Sequence, residues 1–165
     1  MKRFLFALLL VGTATIQVTL LPRLNPLQVS PDLVLGLILV SSSLSGVVIG
    51  MGWAALAGLT MDLLTLEPLG SHGLALLLVA IIGGLARRRL LRSDLLLPMG
   101  LVILATLASQ SVSAALQWVF GARPPLDLVV RVALLTALLN VTAVPLVYAT
   151  MVVLDRFGVR RAPSR

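Results

Sequence analysis

The chain reads as an all-α, polytopic membrane protein that crosses the bilayer six times and keeps both termini in the cytoplasm. Three observations predict this. Apolar residues make up 59% of the chain and charged residues 12%, against about 45–50% and 25% in ordinary soluble domains, and the mean hydropathy is +1.08. The apolar residues lie in long unbroken runs, without the alternation over about 10 residues that barrel strands show. In lipid a backbone must satisfy its own hydrogen bonds, so such runs are spanning helices. Finally, the arginines gather in only some of the gaps between runs.

The runs can be placed in order. The first extends from Phe4 to Leu21 and ends at Pro22; the proline-rich stretch to Pro31 separates it from the second, Asp32 to Leu44. The third runs from Gly46 to Leu66, and the tight turn Glu67-Pro68-Leu69-Gly70-Ser71 leads into the fourth, His72 to Ala86. Past the cluster Arg87-Arg88-Arg89 and Arg92, the fifth covers Leu95 to Phe120. Arg123-Pro124-Pro125 breaks it from the sixth, Leu128 to Leu154. A span needs about 20 residues, so the second and fourth runs are short and are expected to be tilted or shielded by neighbours.

Whether Asp32 to Leu66 is one helix or two is decided by length and charge. As a single helix of about 35 residues it would reach roughly 52 Å, well beyond a hydrocarbon core of about 30 Å. Ser41-Ser42-Ser43-Leu44-Ser45-Gly46 offers a break, because serine competes for backbone hydrogen bonds and glycine relaxes the dihedrals. Cytoplasmic flanks carry the excess of Lys and Arg. With six helices the inner flanks hold Lys2, Arg3, Arg87, Arg88, Arg89, Arg92, Arg156, Arg160, Arg161 and Arg165, and the outer side keeps Arg23, Arg123 and Arg131. Five helices would turn the large clusters outward. Six is therefore the reading.

Lys2-Arg3 before an apolar stretch also has the form of a signal peptide, with Gly12-Thr13-Ala14 as a small-residue cleavage site. The run continues to Leu21 and its removal would leave an odd helix count, so it is read as a retained span. Residues 1–165 are then one integral membrane domain. No cysteine is present, which excludes disulfides and thiolate metal sites. The net charge of +7 is assigned to orientation and anionic lipid headgroups, with no nucleic-acid partner, because the basic residues flank helices.

Several residues stand out as candidates. Gly46, Gly50, Ala54, Gly58 and Asp62 recur every four residues along the third helix, and small residues at this spacing let helix backbones approach closely in lipid. Packing inside the bundle and a groove for a partner helix are both open. Asp32, Asp62, Glu67 and Asp127 map to the outer half, Asp94 and Asp155 to the inner flanks. Ser30-Pro31-Asp32 has the form of a helix start, with serine as cap, proline in the first turn and a carboxylate near the positive dipole end. Pro124-Pro125-Leu126-Asp127 repeats that logic, with Asp127 and Arg131 four apart and able to pair. Asp62, one turn inside the outer end, wants a partner. Arg131 is the first candidate and His72 the second, giving an expected outer cluster of Asp62, His72 and Arg131.

Thr106, Gln110, Ser113 and Gln117 share one face of the fifth helix; Asn140 and Pro145 mark a polar contact and a kink in the sixth. Such a stripe can line a substrate cavity or join helices, and spacing does not separate the two. A single histidine and no cysteine argue against a metal site, and no base lies near the serines at 41–45, so neither catalytic residues nor a cofactor is expected.

Pro31-Asp32-Leu33, Gly58-Leu59-Thr60-Met61-Asp62-Leu63-Leu64 and Pro68-Leu69-Gly70-Ser71-His72 resemble the corresponding segments of the MreD family of rod shape-determining membrane proteins. Leu135-Thr136-Ala137-Leu138-Leu139-Asn140, followed by Pro145 and Tyr148, is similar to that family's last helix. The resemblance spans essentially the whole chain. It implies a non-enzymatic role in bacterial cell elongation at the inner membrane, with MreC as partner, alongside MreB filaments, the RodA glycosyltransferase and its penicillin-binding transpeptidase. It also implies a fold similar to the substrate-binding components of energy-coupling-factor vitamin transporters. Carried onto this chain, Asp32, Asp62, Pro68, Gly70 and His72 would form a structured outer face, and the surfaces of helices two to four, glycine stripe included, would dock the MreC helix. The alternative is a vitamin-type uptake component binding a small molecule between the outer loops and the stripe on helix five. Against it, Ala7 is followed by Val11 where such components carry a second small residue on helix one.

Overall fold

The computed structural model describes residues 2–21, 30–65, 69–86 and 96–156. They form six α-helices: α1 (Lys2–Thr19), α2 (Leu33–Ser45), α3 (Val47–Thr65), α4 (Ser71–Leu85), α5 (Leu96–Val119) and α6 (Leu126–Arg156). Pro68, Glu67 and the arginines at 23, 87–89 and 92 lie outside the described residues, as do Asp94 and the arginines beyond residue 156. Segments within α3, α5 and α6, namely Val47–Thr65, Pro98–Val119 and Leu126–Ala143, are long and apolar enough to cross a membrane, whereas Phe4–Thr19, Leu33–Ser45 and Ser71–Leu85 are apolar but shorter.

The break between α2 and α3 is a single residue, Gly46, at φ 97° and ψ 165°. That region of backbone space is essentially open to glycine alone, which is why the run divides there. Gly46 thus acts through its backbone at the head of the small-residue series, one residue before α3 begins. The serines do not break the helix as expected. Ser41, Ser42 and Ser43 are buried within α2, where Ser42 Oγ donates to the Ala80 carbonyl of α4. Ser43 Oγ lies 2.7 Å from the Leu39 carbonyl and 3.1 Å from that of Gly83. They bind α2 to α4.

At 13 residues α2 is about 20 Å long, short of a hydrocarbon core of about 30 Å. Its sides are covered by protein. It packs against all five other helices, and Val34, Leu35 and Ile38 are completely enclosed. Around it α3 packs on α1 and α4, α4 on α5, and α5 on α6. The closest approaches use glycine. A Cβ on Gly58 of α3 would fall on the Gly73 backbone of α4, and one on Gly50 would come within 2.5 Å of the Ser42 side chain of α2. Ala54 and Ala57 are likewise fully enclosed. Phe6 and Trp53 stack edge to face, centroids 4.9 Å apart, and fasten α1 to α3. Outward, Leu8, Leu59, Leu63, Leu104, Leu134 and Leu138 are exposed, an apolar exterior suited to lipid.

Successive helices alternate in direction. Gln17 near the end of α1 meets Asp32 at the start of α2, and Asp62 near the end of α3 meets the start of α4. One end of the bundle therefore collects the carboxyl ends of α1, α3 and α5 with the amino ends of α2, α4 and α6.

Candidate functional site

Asp62 is 1% exposed, and among the described residues its carboxylate meets donors of the amino end of α4. Oδ2 accepts from the Gly70 N–H at 2.6 Å; Oδ1 accepts from the His72 N–H at 2.9 Å and from His72 Nδ1 at 2.9 Å. The first N–H groups of a helix have no partner inside it, and Gly70, the N-cap, has no side chain to serve them. Gly70 instead turns the chain in the left-handed conformation, φ 98° and ψ −7°, which a residue with a Cβ adopts at a cost. Asp62 caps α4 from the neighbouring helix, where the positive end of the helix dipole also favours it.

The expected pairing of Asp62 with Arg131 is not formed. Arg131 is exposed, and among the described residues the side chain that meets the Asp62 carboxylate is His72. Both carboxylate oxygens are already filled by donors eight and ten residues along the chain, which reach them at little cost in chain entropy. Asp127 and Arg131 are both exposed and form no ion pair with each other among the described residues.

The second polar cluster is built on Asp32. It is the N-cap of α2, its Oδ1 accepting from Leu35 N–H at 2.9 Å, so the cap falls on Asp32 and not on Ser30. The reason is positional: a capping side chain serves the N–H two or three residues on, and the helix begins at Leu33. Oδ1 also accepts from Gln17 Nε2 at 2.9 Å, and Gln17 Oε1 accepts from Val34 N–H at 3.0 Å. From the other side Asn140 Oδ1 accepts from Asp32 N–H at 2.5 Å while Asn140 Nδ2 donates to Thr106 Oγ1 at 2.9 Å. Thr106 in turn donates to the Val102 carbonyl. Gln17, Asp32, Asn140 and Thr106 thereby join α1, α2, α6 and α5.

Beside these clusters lies a cleft of about 250 Å³. Gln17, Ser30 and Asp32 border it from α1 and the amino end of α2; Met61, His72, Ala75 and Leu76 border it from α3 and α4. Ser109, Gln110, Ser113 and Gln117 form the α5 side, and Val132 and Thr136 the α6 side. The stripe on α5 therefore divides. Thr106 is buried in the inter-helix network, whereas Gln110, Ser113 and Gln117 face the cleft. The small residues Gly50, Ala54 and Gly58 are buried in the bundle and stand apart from it. Sequence reasoning passed over Gln17, Ser109 and Thr136. Gln17 could have been found as the one amide among the apolar, glycine and hydroxylic residues from Phe4 to Thr19, and Ser109 as a neighbour of the stripe shifted by one position.

A family model described as "MreD: rod shape-determining protein MreD" matches residues 1–156. No curated protein and no solved structure gives a match. With nearly the whole chain matched, the chain belongs to the MreD family of rod shape-determining membrane proteins.

Proposed function

We propose that this rod shape-determining membrane protein is a non-catalytic, multi-pass subunit of the bacterial elongation complex, which binds MreC in the inner membrane and thereby positions the machinery of lateral peptidoglycan synthesis. The observation that carries this reading is the family match over residues 1–156. MreB, RodA and the penicillin-binding transpeptidase are engaged directly or through MreC. The orientation follows from charge: Lys2 and Arg3 open α1, Arg156 closes α6 and the 87–92 cluster follows α4, so the basic end faces the cytosol and the cleft end faces outward. That Gly50 and Gly58 are filled from within the bundle by Ser42 and Gly73 supports a reading in which MreC takes a face other than that stripe.

The test is depletion of the protein in growing rods, with MreC captured on the tagged protein before and after. Rounding of the cells together with co-purification of MreC is the expected result. Rods of normal shape that require an added nutrient would overturn the reading in favour of an uptake component.

A further inference from the structure

The cleft has properties that the cell-shape reading does not call on. Ser109 and Thr136 are 6% and 5% exposed, yet neither hydroxyl has a hydrogen-bond partner among the described residues. Elsewhere in these helices Thr13, Thr15, Thr60, Ser111 and Thr142 each bond back to a carbonyl three or four residues earlier. That option is the usual one for a helical hydroxyl away from water, and Ser109 and Thr136 forgo it. No enclosed side-chain polar atom among the described residues is left unsatisfied, so both hydroxyls reach open space, and the space they border is the cleft. Among the described lining residues Asp32 is the one carboxylate. Asp32 lines it, its Oδ1 accepting from Gln17 and Leu35, and among the described residues neither lysine nor arginine lines it.

We infer that this cleft binds a small polar molecule through a primary ammonium group, with Asp32 as counter-charge and Ser109 and Thr136 as hydrogen-bonding hydroxyls. A carboxylate attracts a cation, and an ammonium has three N–H donors to share among one carboxylate and two hydroxyls. At about 250 Å³ the cleft falls below the roughly 300–1,000 Å³ of sites for drug-sized molecules, so the occupant is of headgroup or amino-acid size. Two sources supply that chemistry: a free amine, or the headgroup of phosphatidylethanolamine. The inference does not rest on the shape-determining role and is tested on purified protein, apart from any cell phenotype.

The experiment uses the full chain in detergent and in nanodiscs. Glycerophosphoethanolamine and ethanolamine are titrated against thermal unfolding and calorimetry, with choline and glycerol as controls that lack an N–H donor or a charge. A saturable stabilisation by the primary amines alone is expected. Asp32→Asn keeps the capping oxygen and removes the charge, and should weaken binding about tenfold or more. Ser109→Ala with Thr136→Val, which breaks no bond seen in the structure, should weaken it several-fold without lowering the unfolding temperature of the empty protein. Native mass spectrometry in nanodiscs separates the sources: retained phosphatidylethanolamine that free amine does not displace identifies the lipid, and displacement identifies a soluble ligand. Absence of any saturable amine effect, equal effects of choline or glycerol, or affinity unchanged in both variants would overturn the inference.

Discussion

A carboxylate withdrawn from water gives up several kcal/mol of hydration, and Asp62 recovers it from two backbone N–H groups and an imidazole of the α4 amino end. Removing the side chain leaves those donors enclosed without an acceptor, at about 1–3 kcal/mol for a buried polar group. Asp62→Ala should therefore lower unfolding stability in detergent by about 2–3 kcal/mol. Arg131→Ala, which removes an exposed side chain without an ion pair to Asp62, should change it by less than about 0.5 kcal/mol. Equal losses in the two variants would show that Arg131 holds the carboxylate after all. Asn140 works in the same way between helices, since its amide accepts from Asp32 and donates to Thr106 at once.

Helix α3 presents two kinds of glycine. Gly58 sits against the Gly73 backbone, so a Cβ there must drive α3 and α4 apart, whereas Gly52 is exposed with nothing within 4 Å of an added Cβ. Where no hydrophobic force joins helices in lipid, such close approach is much of what holds them. Gly58→Ala is expected to destabilise by about 2 kcal/mol or more through overpacking and to reduce accumulation in the membrane. Gly52→Ala should be neutral, or stabilising by about 0.5–1 kcal/mol from the better helix former. Quantitative blotting of membrane fractions with denaturant unfolding in detergent decides it, and indistinguishable behaviour of the two variants would place α3 and α4 farther apart than described. The hydroxyls of Ser42 and Ser43 add bonds from α2 to α4 carbonyls, so the most enclosed helix is held by polar contacts on the same side.

At the level of the whole molecule, alternating helices sort the chain into a polar end that carries the cleft and a basic end. The absence of cysteine makes that arrangement directly testable. A cysteine replacing exposed Ala122, in the turn between α5 and α6, should react with a membrane-impermeant maleimide in intact spheroplasts. A cysteine replacing Ser164 should react only after permeabilisation. The reverse pattern would invert the molecule and put the cleft in the cytosol.

The number of helices and their limits to within about two residues follow from apolar runs against bilayer thickness, because that signal is local in the chain. That Asp32, Asp62, His72 and Asn140 take polar partners was also legible, since a polar group among apolar neighbours needs a partner wherever it lies. Which partner it takes was not. Asp62 chose the α4 backbone over Arg131, Asp32 became the hub between Gln17 and Asn140, and the serines of α2 became tethers where a break was expected. Those choices depend on which helix faces stand within 3 Å of one another. That is set by packing around α2, so the cleft and its two unpartnered hydroxyls exist only in the assembled bundle.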